Sequence, residues 1–202
     1  MTNNVDPNTV LAFWFGTAEE IESGTTNRRH IWFGGDEAVD REIEQKFGAL
    51  PPQALKRQLD DWRDSPRSNL ALVLVLDQFT RNLYRGTPES FAYDDYALEV
   101  ARAAIARGDD QTLLPIEAMF LFMPYEHSEN IDDQLRCVEL FDQLIDRAPP
   151  DVRERIASFR SYAVRHLEVI KRFGRFPHRN VILGRDTTDE EKEYLESGGD
   201  TF

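Results

Sequence analysis

The stretch SPRSNLALVLVLDQFTRNLYRG, Ser65–Gly86, decides how the rest of this chain is read. Ser65 before Pro66 is a helix start, a hydroxyl cap followed by a proline whose missing N–H costs nothing at the first position. Leu70 to Leu76 is apolar all round, so the first half of this helix is expected to be enclosed. Leu72, Leu76, Phe79 and Leu83 continue as a core stripe, while spacings of four and seven put Asp77, Arg81 and Tyr84 on the opposite face. Asp77 ends the aliphatic run far short of the ~20 residues a membrane-spanning helix needs. Gly86 sits where a left-handed C-cap belongs.

The same period recurs on both sides. Asp6-Pro7 opens a helix with Val10, Leu11, Trp14 and Phe15 on one stripe, stopping near Gly16. Glu19 to Gly35 reads as a loop pinned by Ile31, Trp32 and Phe33. Asp36 caps a helix to about Phe47, and Pro51-Pro52 opens one reaching about Trp62. Tyr93 to Arg107 is stopped by Gly108-Asp109, and Pro115 to Met123 is ended by Pro124. Asn130 caps Ile131 to Asp146, and Asp151 to Phe173 follows Pro149-Pro150. Thr188 with Glu191 matches a capping box for a short terminal helix to about Leu195, after which ESGGDTF should fray.

No segment alternates as a half-buried strand must. The expected class is therefore all-α with no significant β-sheet, an antiparallel helix-helix array in one domain over 1–202, with 171–202 as a basic strap and short acidic tail packing on it.

Composition narrows the function classes. The chain has 202 residues, 24 Lys+Arg against 37 Asp+Glu, and a formal net charge of -13. A phosphate backbone is repelled by such a field, so no nucleic acid partner is expected. Cys137 is the one cysteine, which rules out an internal disulfide or a multi-cysteine metal site. The amino terminus lacks the basic and apolar regions of a signal peptide, so a cytoplasmic protein with no membrane partner is expected. Neither His-x-x-x-His nor Glu-x-x-His occurs, and no metal or cofactor is expected.

Three constellations carry chemistry. Asp77, Arg81, Tyr84 and Arg85 put both charge signs on one helix. Arg81 either pairs with Asp77 at i,i+4 or, with Arg85, donates into a cleft as a planar clamp for a carboxylate or phosphate. MPYEHSEN, Met123–Asn130, holds Glu126, His127 and Glu129 in a turn, where carboxylates can fix an imidazole's tautomer and raise its pKa for acid or base work. The strap from Lys171 to Arg185 has five Lys and Arg residues and no acidic one. Lys171 and Arg172 suit the end of a helix macrodipole. Arg175 and Arg179, with His178 and Asn180, either dock the strap onto acidic helices of the same molecule or line an anion site.

FWFG near the start, DQFTRNLYRG, PYEHSE and GRFPHRNVILGR with its following TTDEE resemble, in that order, a bacterial and plant family, the domain of unknown function numbered 924. The resemblance spans nearly the whole chain and implies a TPR-like α-α superhelix with no established activity. Its motif residues fall here on Trp14, Asp77, Gln78, Arg81, Asn82, Arg85, His127, Ser128, Glu129, Gly174, Arg175, Pro177, His178, Arg179, Asn180 and Gly184.

Two functions compete. In the first, the three segments converge on a pocket for a small anionic molecule. Arg81, Arg175 and Arg179 hold the anion, Tyr84 and Asn180 orient it, and His127 backed by Glu129 transfers the proton in a hydrolysis or group transfer. In the second, a helical scaffold takes a peptide or protein on exposed aromatics such as Trp32, Phe33 and Tyr125. A third possibility is a buried polar network that only holds the strap. The oligomeric state is not written in the sequence.

Overall fold

The structure is a computed structural model that describes residues 5–17, 19–20 and 28–202. Within the expected Glu19–Gly35 loop, residues 21–27 lie outside the described residues. Among the described residues every element is helical and there is no strand, so the fold is all-α. No helix among them is long and apolar enough to cross a membrane.

The helices are α1 (Pro7–Phe15), α2 (Arg29–Phe33), α3 (Glu37–Phe47), α4 (Leu50–Leu55), α5 (Pro66–Val73), α6 (Thr80–Leu83), α7 (Asp94–Arg107), α8 (Pro115–Glu126), α9 (Ile131–Arg147), α10 (Pro150–Phe173) and α11 (Asp189–Glu196). They form two compact units. The first comprises Met1–Arg85 with Glu89–Pro124, and the second Gly86–Pro88 with Tyr125–Phe202.

In the first unit the caps act where the side chains predict them. Asp6 accepts from the Thr9 amide, Asp36 from Ala38 and Ser65 from Ser68. Leu70 to Leu76 is fully buried, as an all-round apolar helix must be. An aromatic cluster forms the core: Trp14 lies 5.6 Å from Phe79 and 5.7 Å from Phe120, and Phe47 stacks on Phe79 at 4.9 Å.

Three local expectations need correcting here. The Ile31–Phe33 anchor is a short helix, with the Trp32 indole N–H donating to the Trp14 carbonyl at 2.9 Å. The helix opened by Pro51-Pro52 ends at Leu55, because Arg57 turns left-handed at φ 61° and a 3₁₀ turn, Asp60–Asp64, replaces the remainder. The Ser65–Gly86 helix is not uniform: Leu74–Phe79 is π-helical. Thr80 there donates its hydroxyl to the Leu76 carbonyl at 2.8 Å, back-bonding that competes with the main-chain ladder.

The second unit is built on α9 and α10, its most extensively packed pair, which run antiparallel because only Ala148 and Pro149 join them. At the carboxyl end of α10, Gly174 adopts φ 69°, the left-handed cap that a residue with a Cβ tolerates poorly. The chain then turns into the strap, whose Pro177–Arg179 is a 3₁₀ turn, and enters α11 through a complete Thr188–Glu191 capping box.

Two expectations fail in this unit. Pro124 does not end α8, which runs on to Glu126. The Gln134 side-chain amide, fully buried, donates to the carbonyls of Tyr125, Glu126 and Ser128 at 3.3, 2.6 and 2.7 Å, supplying donors the helix end lacks. Nor does the tail fray. Asp200 pairs with Arg165, and the Phe202 ring stacks on His166.

Candidate functional site

The Asp77–Arg85 constellation lies in the first unit and is closed on itself. Asp77 is 0% exposed, and its Oδ2 accepts from the Gln78 amide at 2.6 Å. Arg81 Nη1 lies 3.7 Å from Asp77 Oδ1, but its planar fork is taken by Asp94, with bonds of 2.9 and 3.0 Å to the two carboxylate oxygens. Burial works against the Arg81 charge, and Asp77 and Asp94 together outweigh it and raise the pKa. Arg85 grips Asp40 at 3.2 and 3.0 Å, the same carboxylate accepts from the Asn82 amide at 2.7 Å, and Tyr84 stacks on Tyr93 at 6.1 Å. These side chains hold α3, α6 and α7.

The turn and the strap share the second unit, where the basic strap meets its acids. Glu129, expected to back His127, has both oxygens committed to the strap instead. Arg185 donates to them at 2.6 and 3.0 Å, and the Phe176 amide donates at 2.8 Å. Burial raises the Glu129 pKa, yet these donors and the Arg179 charge more than offset it and leave it lowered. Arg175 forms a second fork, with Glu191, at 2.6 and 2.7 Å, and Asn180 adds its amide at 3.2 Å. The Arg175 bonds lead in holding Glu191 down at about 2. Arg185 also donates to the Asn180 side-chain carbonyl at 2.9 Å. Arg175 and Arg185 of the strap are thus matched by Glu191 and Glu129, and Lys171 and Arg172 pair with Glu168 and Glu190 of the same unit.

What these clamps assemble is an imidazole cluster. The chain has four histidines, and three of them gather here from separate elements: His127 from the turn, His166 from α10 and His178 from the strap. His127 and His166 have ring centroids 6.3 Å apart. Arg179, 6% exposed, donates to the His127 carbonyl at 3.1 Å and lies 4.4 Å over the Phe176 ring.

His166 Nδ1 faces two acceptors, the Tyr162 carbonyl at 2.9 Å and Glu126 Oε1 at 3.2 Å, so the proton sits on Nδ1 and Nε2 carries the lone pair. Burial above all, helped by His127, Arg179 and His178, pushes the His166 pKa down to about 2. Burial, with Arg179, takes His178 to about 4. Both rings are neutral at pH 7. His178 Nδ1 is buried and has no hydrogen-bond partner among the described residues. Among the described residues no three His, Cys, Asp or Glu groups are placed to hold a metal ion.

The model of a family described as bacterial protein of unknown function, DUF924, matches residues 10–199. The chain belongs to this family. A solved structure, the protein of unknown function ATU0120 from Agrobacterium tumefaciens, is 35% identical, with a TM-score of 0.80 over 95% of this chain and 97% of its own. No curated protein matches the sequence.

Sequence reasoning reached His127, Glu129, Arg175, His178, Arg179 and Asn180 but missed His166, Arg185, Glu191 and Phe202. A signal existed for His166. It lies three residues after buried Ala163 and four before buried Ile170, on the inward stripe of α10. No local signal marks Phe202, which reaches the cluster only through the course of the tail.

Proposed function

We propose that the second unit binds a small anionic molecule at the imidazole cluster, with His178 and Arg179 meeting the anion and His127 serving as the proton-transfer group of a hydrolysis or group transfer. The observation that carries this reading is the buried, partnerless His178 Nδ1. A polar atom stripped of water and given no partner costs about 1–3 kcal/mol, and an anionic oxygen offers it the missing acceptor. Arg179 contributes fixed positive charge close by, which also keeps His178 neutral until an anion arrives.

Binding of an anion favours the charged imidazole, so affinity rises as pH falls from 7 toward the low His178 value. The clamps formed by Arg175 and Arg185 keep the walls in place, and Asp77, Arg81, Tyr84 and Arg85 serve the first unit's own packing. The α9–α10 hairpin supports a TPR-like description of the second unit, and a cytoplasmic location fits the acidic composition.

The test is thermal denaturation with and without inorganic phosphate. Phosphate at ~100 times its Kd stabilises the binding unit by about 2.7 kcal/mol, and His178→Ala removes that response while the apo protein stays folded. A melting temperature indifferent to phosphate at every pH from 5 to 8 sinks the reading.

A further inference from the structure

We propose that the Phe202 ring occupies an aryl subsite of the imidazole cluster, so that the ligand is a small aromatic anion whose ring takes this place when the tail lifts. This rests on the anion-binding reading above and adds the ligand class and a self-blocking device.

The walls of the slot are rings. Phe202 lies on His166 with centroids 3.4 Å apart and planes 20° apart. Phe176 and His178 stand nearly edge-on to it, at 5.9 Å and 79° and at 6.1 Å and 76°. The two edge-on neighbours are an arrangement aromatic pairs favour, and His166 closes the slot with a face-to-face contact. Two of the walls are interior, with His166 4% and Phe176 0% exposed, and His178 is half-buried, whereas the occupant is 39% exposed. Lifting Phe202 therefore uncovers a formed slot with a neutral imidazole as its floor. Arg179 over Phe176 and the orphaned His178 Nδ1 put partners for a charged substituent beside that slot.

The Ser197, Gly198 and Gly199 amides donate to the Glu193, Leu195 and Tyr194 carbonyls and anchor the chain up to Gly199. Past that point the tail is held by the Asp200 amide donating to the Tyr194 hydroxyl at 2.7 Å, by the Arg165 guanidinium 5.9 Å from the Phe202 ring centroid and by the Arg165–Asp200 ion pair. That pair is partly solvated, so it is worth little and weakens with salt. The path also depends on Gly199, where an added Cβ would lie 2.5 Å from the Tyr194 ring and 2.6 Å from its carbonyl. A side chain at 199 displaces the tail without touching any ring of the slot.

Calorimetric titration with phenyl phosphate and with inorganic phosphate separates the ideas. A tail closed nine-tenths of the time lowers apparent affinity ~tenfold, so phenyl phosphate binds Phe202→Ala at least ~tenfold more tightly than the wild type. Gly199→Ala shifts affinity the same way, and inorganic phosphate binds all three proteins equally. Gly199→Ala also keeps the test intact should Phe202→Ala fold poorly. Phenyl phosphate no tighter in either variant, with inorganic phosphate still bound, overturns the aryl subsite and leaves the anion site standing. Failure of both probes in every variant removes both.

Discussion

Replacing Glu129 by alanine is the most direct challenge to the account of the strap. The side chain holds the fork of Arg185 and the Phe176 amide together, and the two side chains of the ion pair are 29% and 24% exposed. Removing one partner leaves a guanidinium largely out of water and an amide without its acceptor. Breaking a buried pair costs about 3–5 kcal/mol, and partial solvation here brings the expected loss to about 3 kcal/mol. For a chain of this size that is a drop of about 6–12 °C in melting temperature. Glu168→Ala is the matched control, because its pair with Lys171 is largely exposed and is worth ~0.5 kcal/mol or less. Circular dichroism melts give the size of the effect, and hydrogen exchange locates it, with protection falling first in residues 174–196. A Glu129→Ala melting temperature within 2 °C of the control would refute the clamp.

The other expectations can be checked with the same equipment. Arg81→Ala leaves Asp77 and Asp94 without their cation, so a loss of about 3–5 kcal/mol is expected, and Arg81→Lys, which lacks the planar fork, recovers less than half of it; full recovery by lysine counts against the bidentate geometry. His166 and His178 have folded values of about 2 and about 4 against an ordinary 6.5, so the unfolded chain binds more protons below 6.5. Stability is therefore fully present above that pH and declines as pH falls toward the folded values, with a shallower decline in His166→Gln. Carbon shifts of the two rings should stay at their neutral values from pH 8 to 5.5, and a titration inside that window contradicts their burial.

The anion probes bear on a different layer of the molecule from these stability measurements. Loss of the Glu129 clamp should release the strap and with it His178 and Arg179, so phosphate binding should vanish in Glu129→Ala even below its lowered melting point. The first unit offers a contrast, since Arg81 and Arg85 have their forks committed to Asp94 and Asp40.

Local chemistry alone determined the all-α class, the caps at Asp6, Asp36, Ser65, Asn130 and Thr188, and the capping box before α11, because helix starts are decided by side chains within three residues of the backbone they serve. It also marked the strap as basic and in need of acids. Only tertiary structure decided which acids those are, since Glu129 lies 56 residues from Arg185 and Glu191 lies 16 from Arg175, and an ion pair depends on distance in space. Folding likewise gave Arg81 a second carboxylate, Asp94, beside Asp77, carried α8 past Pro124 by lending it the Gln134 amide, and laid Phe202 on His166. Each outcome depends on long-range contact between groups that a helical pattern cannot bring into register by itself.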